Sequence, residues 1–310
     1  MDAIGEDTVT VDLILEYCKT VWEKRQCQNY LICSSFGTKI LTKHIKDLKT
    51  KVADEVLDCC FMGLIKQEQS PMQYVSCAVM KVMFSGEQHA VSEFEFCGDT
   101  AFGVLNHRDN HWILLVFYHH LHRIWVLDPL GELPATLKEI LQLWKSYMAV
   151  RPEHQHRWKL LVKPHPKQLD SSSCGVFCVQ FAEKILKGEP LKFPQDADSV
   201  VSYRLKMLQL IAMNQDPIED ICRLCGKSDL SEEWIGCDNC PKFWVHFNCL
   251  SKQVKTIRGQ KYSLFAKRFT HAVCATKLVA QTTCVCILPQ LLKNNICYKL
   301  FLNHCSVNCL

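Results

Sequence analysis

The run CRLCGKSDLSEEWIGCDNCPKFWVHFNC, residues 222–249, limits what this chain can fold into more than any other feature. It carries C-x2-C twice and then H-x2-C, and thiolates with one imidazole at these spacings suit tetrahedral Zn²⁺. A segment this short has too little apolar surface to fold without a metal. The candidate ligands are Cys222, Cys225, Cys237, Cys240, His246 and Cys249. The expected cofactor is structural zinc, one or two ions.

The 310 residues include twenty cysteines, so either disulfides or metal must account for them. The opening MDAIGEDTVT has neither a basic n-region nor an apolar h-region, so no secretory signal is expected. No apolar run approaches the ~18 residues of a membrane span. The expectation is a reducing compartment, nuclear or cytoplasmic, where clustered cysteines hold zinc. The net charge of +4 is spread along the chain, and its one basic concentration, KHIKDLKTK, reads as a solvated face. Neither a membrane partner nor direct nucleic-acid binding is indicated.

A composition break falls at MNQDPIED, residues 213–220, where a helical pattern gives way to a polar, proline-containing run. Before it, DEVLDCCFMGLIKQ, TLKEILQLWKSYM and VVSYRLKMLQLIAM read as helices, and CGVFCVQFAEKILKG as a helix closed by Gly188. AFGVLN, ILLVFY, IWVLD and RWKLLVK read as strands, with ILLVFY and IWVLD joined as a hairpin. The fold class is α+β: helices flanking a small, largely antiparallel central sheet, plus a small zinc module.

One cysteine stands apart, at a joint. In QLDSSSCGVF, Cys174 lies between a polar loop and an apolar helix, so its sulfur falls in the helix's first turn, where the dipole favours a thiolate. A buried structural cysteine is the alternative reading, as for Cys178 one turn on. A nucleophilic thiol needs a histidine oriented by an acid. Of thirteen histidines, His111 opens a strand after the turn-like LNHRDN, and the next strand ends at Asp128 in VLDPL. The start of one hairpin strand lies beside the end of the other, so His111 and Asp128 become neighbours. His119, His120 and His122 fall at the far turn, where exposure is expected.

This set, with HW, a strand–turn–strand ending in Asp, and Q-x5-C-G, resembles the papain-like, Ulp-type cysteine proteases that process SUMO and related ubiquitin-like proteins. The resemblance covers roughly residues 36–213. It implies Cys174 as nucleophile, His111 as general base and later acid, Asp128 as its orienter and Gln168 as oxyanion donor, with no cofactor for the chemistry. It also implies Trp112 as a substrate-binding wall of a narrow channel for a C-terminal Gly-Gly. Core packing is the alternative for Trp112. The segment KVADEV carries Lys51 where the family has a tryptophan that roofs the channel. SUMO or another ubiquitin-like protein, with its conjugates, is the implied partner.

WIGCDNC followed by W-x-H-x2-C resembles a PHD finger, which implies Cys222, Cys225, His246 and Cys249 on a first zinc and Cys237 and Cys240 beginning a second. Between Cys240 and His246 stands one residue more than usual, and the closing C-x2-C is missing: Cys274 stands alone and Cys284 and Cys286 are spaced C-x-C. Trp234 and Trp244 match cage positions for methyl-lysine, which makes histone tails a further candidate partner. The expected organisation is an N-terminal extension at 1–35, the protease domain at 36–215, the finger at 219–250, extending to 286 if the tail completes it, and an irregular tail at 251–310. Two rivals share the fold: a silent binder of ubiquitin-like proteins that reads chromatin, and an acetyltransferase. The intact quartet of His111, Asp128, Gln168 and Cys174 argues against the first, and no acyl-CoA site is visible for the second.

Overall fold

The computed structural model describes residues 19–23, 29, 31–86, 95–149, 157–216, 221–228, 233–237, 240–249 and 268–269, with backbone only for 235–237, 240–243 and 268–269. It forms two compact units, Met1–Lys46 with Ala212–Leu310, and Asp47–Ile211. No helix among the described residues is long and apolar enough to cross a membrane.

The first unit begins with a hairpin of β1 (Leu31–Ser35) and β2 (Thr38–Leu41), followed by α1 (Thr42–Asp47). Its two-residue turn, Phe36 and Gly37, has φ of 50° and 74°, the left-handed pair that matches the twist of adjoining strands. The expected start of the protease domain at residue 36 falls inside this turn.

In the second unit, α2 (Asp54–Glu68) starts with Asp54 and Glu55 at the positive end of its dipole and buries Leu57, Cys60, Phe61 and Leu64 along one stripe. After β3 (Gln73–Val75), helix α3 (Cys77–Met83) is capped by the Ser76 hydroxyl, which accepts from the Val79 N–H. There follow β4 (Thr100–His107), β5 (His111–Tyr118), β6 (Arg123–Leu127), α4 (Pro134–Ala149), β7 (Lys159–Val162), α5 (Cys174–Leu186) and α6 (Ala197–Met213).

The sheet runs in the order β3-β4-β5-β6-β7. Its two central ladders are antiparallel, but β3 joins β4 and β6 joins β7 in parallel. The sheet is therefore mixed rather than largely antiparallel. The reason is that α3 and α4 act as crossovers, and a crossover returns the chain in the same direction. Helices cover both faces. Ala101, Leu105, Ile113, Leu115, Phe117, Ile124 and Val126 pack with Met80, Ile140 and Trp144 from α3 and α4. The alternate residues of β5 face α5, where Cys178 Sγ lies 3.5 Å from the Trp112 carbonyl. Burial on both sides explains why HWILLVFY is a nearly unbroken apolar run.

Helix α5 ends as its glycine predicts. Gly188 has φ of 65°, and Gly188 and Glu189 donate to the Ile185 and Lys184 carbonyls, a Schellman closure. At the turn between β5 and β6 His120 is exposed, whereas His119 and His122 are half-buried against Trp158. The expectation of exposure for these two fails because β7 brings the large Trp158 ring beside the turn.

Within the first unit, β8 (Trp234–Cys237) pairs antiparallel with β9 (Cys240–His246) and parallel with β10 (Arg268–Phe269). The hairpin β1–β2 is bonded to the same region. Leu31 N–H donates to the Arg223 carbonyl at 3.0 Å, the Arg223 guanidinium to the Ile32 carbonyl at 3.1 Å, and Lys39 Nζ to the Gly226 carbonyl. The Asp216 carboxylate accepts from the Ser34 hydroxyl and the Gly37 N–H, each at 2.7 Å.

Candidate active site and Cys/His centre

Three elements of the second unit converge at the N-terminus of α5. The pairing of Leu114 with Leu127 leaves Asp128 just beyond the end of β6, level with the first turn of β5. His111 Nε2 lies 2.6 Å from Asp128 Oδ1, a charge-assisted length. The Asp128 side chain is buried and receives a further hydrogen bond from the Leu130 N–H at 2.9 Å.

Cys174 lies near enough to the His111 ring that each shifts the other's titration. Burial alone would lower the imidazole, but Asp128 and Cys174 outweigh it and raise His111 to about 9. Burial alone would raise the Cys174 thiol, yet His111 and the Trp112 and Gly175 N–H groups hold it below the ordinary value. One turn on, burial pushes the Cys178 thiol far up, because no histidine faces it. Two cysteines of one helix are thus driven in opposite directions, and only Cys174 is suited to react.

The other residues surround this pair. Gln168 is buried, its N–H donates to the Pro129 carbonyl at 2.8 Å, and its amide Nε2 donates to the Asp170 carbonyl at 2.6 Å. An amide has two N–H groups, so one remains for another acceptor. Trp112 is buried, with its indole N–H on the Val52 carbonyl at 3.0 Å. A Cβ on Gly175 would stand 2.7 Å from Val52 Cβ and 3.3 Å from Trp112 Cδ1, so Val52, Trp112 and the bare Gly175 backbone form one tight wall. Exposed Lys51 reaches Asn110 Oδ1 at 3.3 Å, beside His111.

Two participants went unnoticed in the sequence. Asp170 organises the loop before Cys174, accepting from the Ser172 and Ser173 N–H groups at 2.7 and 2.8 Å and from the Ser173 hydroxyl at 2.6 Å. Buried Arg204 of α6 donates to Ser173 Oγ at 3.0 Å and to the Leu48 and Thr50 carbonyls at 2.5 and 3.2 Å. Its guanidinium ties the loop before Cys174 to the segment leading to Val52. A signal was present: Arg204 shares the buried stripe of Val200, Met207, Leu208 and Ile211, where a charge needs a reason.

In the first unit, the ligand atoms of Cys222, Cys225, His246 and Cys249 lie within 4.8 Å of one another. Tetrahedral Zn–S bonds of about 2.3 Å require sulfurs about 3.7 Å apart, so the cluster fits a structural zinc. Cys225 Sγ and Cys249 Sγ stand 3.3 and 3.8 Å from His246 Nδ1, and the His246 N–H donates to Cys222 Sγ at 3.2 Å. Burial and the neighbouring thiols push the Cys249 thiol up to about 12, a crowding that a divalent cation would reverse. The Cys237 and Cys240 side chains lie outside those described, as do Cys274, Cys284, Cys286 and the 251–310 tail apart from β10. The Trp234 ring packs edge-on against His246 at 4.3 Å, so this candidate cage wall also covers a candidate ligand. Trp244 is half-buried and pairs with Gly236 across the ladder.

Comparison with known proteins gives likenesses for both parts of the chain. Residues 64–216 match the family model described as Ulp1 protease family, C-terminal catalytic domain, and residues 222–263 match the PHD-finger model. Sentrin-specific protease 2 of Homo sapiens is 26% identical over 207 residues, 61% of this chain and 34% of the relative. That of Rattus norvegicus is also 26% identical, over 60% of this chain and 34% of the relative. The chain thus spans about a third of the length of these relatives. Among solved structures, the C-terminal Ulp1 protease domain in complex with SMT3, the yeast ortholog of SUMO, superposes with a TM-score of 0.55 at 18% identity, covering 66% of this chain and 95% of that one. The Ulp1-like SUMO protease catalytic domain of Chaetomium thermophilum gives 0.50 at 13% identity, covering 66% and 90%. These likenesses show the fold: an Ulp1-like mixed sheet flanked by helices, with a PHD-type Cys/His cluster following it in the chain.

Proposed function

We propose, from the premise that this chain carries an Ulp1-type cysteine protease domain and a PHD finger, that it hydrolyses the peptide or isopeptide bond after the C-terminus of SUMO or another ubiquitin-like protein. The observation that carries the reading is the relay of Asp128, His111 and Cys174, with its 2.6 Å carboxylate–imidazole contact and its lowered thiol.

The substrate tail lies along the wall of Trp112 and Val52. The Cys174 thiolate attacks the carbonyl carbon, and the free Gln168 N–H donates to the oxyanion that forms. As the C–N bond breaks, the His111 imidazolium passes its proton to the departing amine, leaving a thioester and a neutral imidazole. His111 then takes a proton from water as the oxygen attacks the thioester, and returns it to the sulfur as the acid leaves. Asp128 keeps the ring oriented throughout.

The finger localises the enzyme, with Cys222, Cys225, His246 and Cys249 on one zinc and Cys237 and Cys240 contributing to a second. Trp234 and Trp244 make histone tails a candidate ligand, and a nuclear site of action goes with that. The functional segments are an N-terminal extension at 1–35, the protease at 36–215, the finger from 219 and the tail at 251–310.

Labelling by vinyl-sulfone probes built on SUMO, ubiquitin and other ubiquitin-like proteins tests the reading. At least one probe is expected to react with the wild-type chain and none with Cys174→Ala. Undiminished labelling of that variant would overturn the assignment, and a chain that binds a probe without bond formation would be a silent binder.

A further inference from the structure

Behind Asp128 stands a second group of titratable side chains that the proposed chemistry does not use: Glu132, His165 and Lys167. The turn after β6 folds back on itself, with the Gly131 N–H donating to the Asp128 carbonyl at 2.9 Å. Glu132 reaches back as well, and its Oε1 accepts from the Asp128 N–H at 3.1 Å. From the segment after β7, Lys167 Nζ lies 2.8 Å from Glu132 Oε2, 2.8 Å from His165 Nε2 and 3.3 Å from the Asp128 carbonyl. An ammonium has three protons, and three acceptors surround this one.

His165 shows how the group holds together. Its Nδ1 stands 2.6 Å from the Lys163 carbonyl, which can only accept, so Nδ1 carries a proton, and its Nε2 lies 2.8 Å from Lys167 Nζ. That same Nε2 lies 3.0 Å from the Asp128 carbonyl and 3.2 Å from Glu132 Oε1. Lys167, His165, Glu132 and the Asp128 carbonyl thus meet within hydrogen-bond distance of one another. The His165 and Glu132 side chains are 0% and 8% exposed, so water does not screen them as it does the 39% exposed lysine. Lys167 directly precedes Gln168, whose N–H is held by the Pro129 carbonyl of the same turn. Replacing a buried ionic group by an apolar one often changes net stability little, so the main product of this one is geometry.

We propose that Lys167 is a positioning residue that locks the Asp128 turn to the Gln168 loop, so that the carboxylate orienting His111 and the amide facing the reacting carbonyl keep a fixed separation. The inference rests on the proposed hydrolase reading. It concerns residues outside the reacting set.

The test compares Lys167→Met with the double variant Lys167→Met/Glu132→Gln. The second change removes the carboxylate charge left unpaired while keeping an oxygen for the Asp128 N–H. Three quantities are measured: melting temperature, kcat and KM on a fluorogenic ubiquitin-like substrate, and the pH profile of Cys174 alkylation by iodoacetamide, which needs no substrate. The double variant is expected to melt close to wild type with kcat about tenfold lower and KM within about twofold. Its alkylation should set in at a higher pH than in the wild type, because an imidazolium with a less well-aimed carboxylate stabilises the Cys174 thiolate less. If kcat and the alkylation limb both match wild type in the folded double variant, Lys167 is merely structural and the proposal fails. If the wild type turns over no ubiquitin-like substrate while the limb still moves, the hydrolase reading fails and the positioning role stands.

Discussion

His111 Nε2 and Asp128 Oδ1 stand 2.6 Å apart although seventeen positions separate them in the chain, because one residue opens β5 and the other directly follows β6. Against the lowering by burial, Asp128 and Cys174 together raise the imidazole to about 9, while the Cys174 thiol it faces falls below its ordinary value. In the proposed chemistry the reactive pair is thiolate with imidazolium. Cys174 alkylation should therefore rise as pH passes the lowered thiol value, while turnover, which needs the imidazolium proton for the departing amine, should decline above about 9. Asp128→Asn removes the charge that holds the proton on His111. The upper limb then moves to lower pH and kcat falls by about 10²-fold or more. Iodoacetamide kinetics across pH, with turnover in parallel, check both.

Gly175 faces Val52 and Trp112 with no room for a side chain. Gly175→Ala should cost about 1–3 kcal/mol of stability by overpacking. Turnover should fall as well, since the displaced wall is the one proposed for the substrate tail. Adding Val52→Ala removes Cγ2 at 2.8 Å but keeps Cβ at 2.7 Å, so it is expected to restore only part of the melting temperature. Thermal denaturation of the single and double variants decides it.

Buried Arg204 supplies the cation on the Ser173 side of the nucleophile loop, and its field acts on Asp170 and Cys174. Arg204→Met leaves the Leu48 and Thr50 carbonyls without this donor, an expected loss of about 1–3 kcal/mol. Arg204→Lys keeps the charge and loses the fork. In the lysine variant the thiol should titrate closer to wild type than in the methionine variant, while both lose turnover. The acidic limb of the alkylation profile, measured on the folded fraction, separates charge from geometry.

For the Cys/His centre, the wild-type chain is expected to carry at least one zinc by native mass spectrometry. His246→Ala and Cys249→Ser should each lose that ion, because three ligands in a closed structural site do not hold it. Chelation should also change Trp234 fluorescence, since this ring lies 4.3 Å from the His246 ring. Unchanged metal content in both variants would exclude the four-ligand centre.

Glu183 accepts from Lys187, Lys206 and the Tyr203 hydroxyl. Burial alone would raise its carboxyl, but the two lysines and Tyr203 bring it down to about 2. Because the folded value lies below the unfolded one, its contribution is complete above the ordinary carboxylate range and disappears as pH falls toward 2. Glu183→Gln should therefore lower the melting temperature at neutral pH, and the gap from wild type should narrow through acid pH in a denaturation series.

Much of the fold was legible because its signals are local. The unbroken apolar run of β5 and the stripe of α2 lie within single elements, and Gly188 closes α5 at the position its left-handed φ allows. The parallel edges of the sheet were not legible, since strand direction depends on where a crossover lands and leaves no periodicity in the strand itself.

The same division runs through the candidate site. By itself the sequence determined that Cys174 begins a helix, that His111 and Asp128 meet across a hairpin, and that six cysteine and histidine positions have metal spacing. These rest on hydrogen-bond ladders and short intervals whose geometry is nearly fixed by chain connectivity. Only the tertiary structure decided that Arg204 reaches Ser173, that Lys167 closes on the Asp128 turn, and that the hairpin at 31–41 is bonded to residues 215–226. Such contacts join segments tens to nearly two hundred positions apart. A lysine or arginine carries no local mark of the acceptors it will find, because those acceptors are main-chain carbonyls and buried carboxylates assembled by packing.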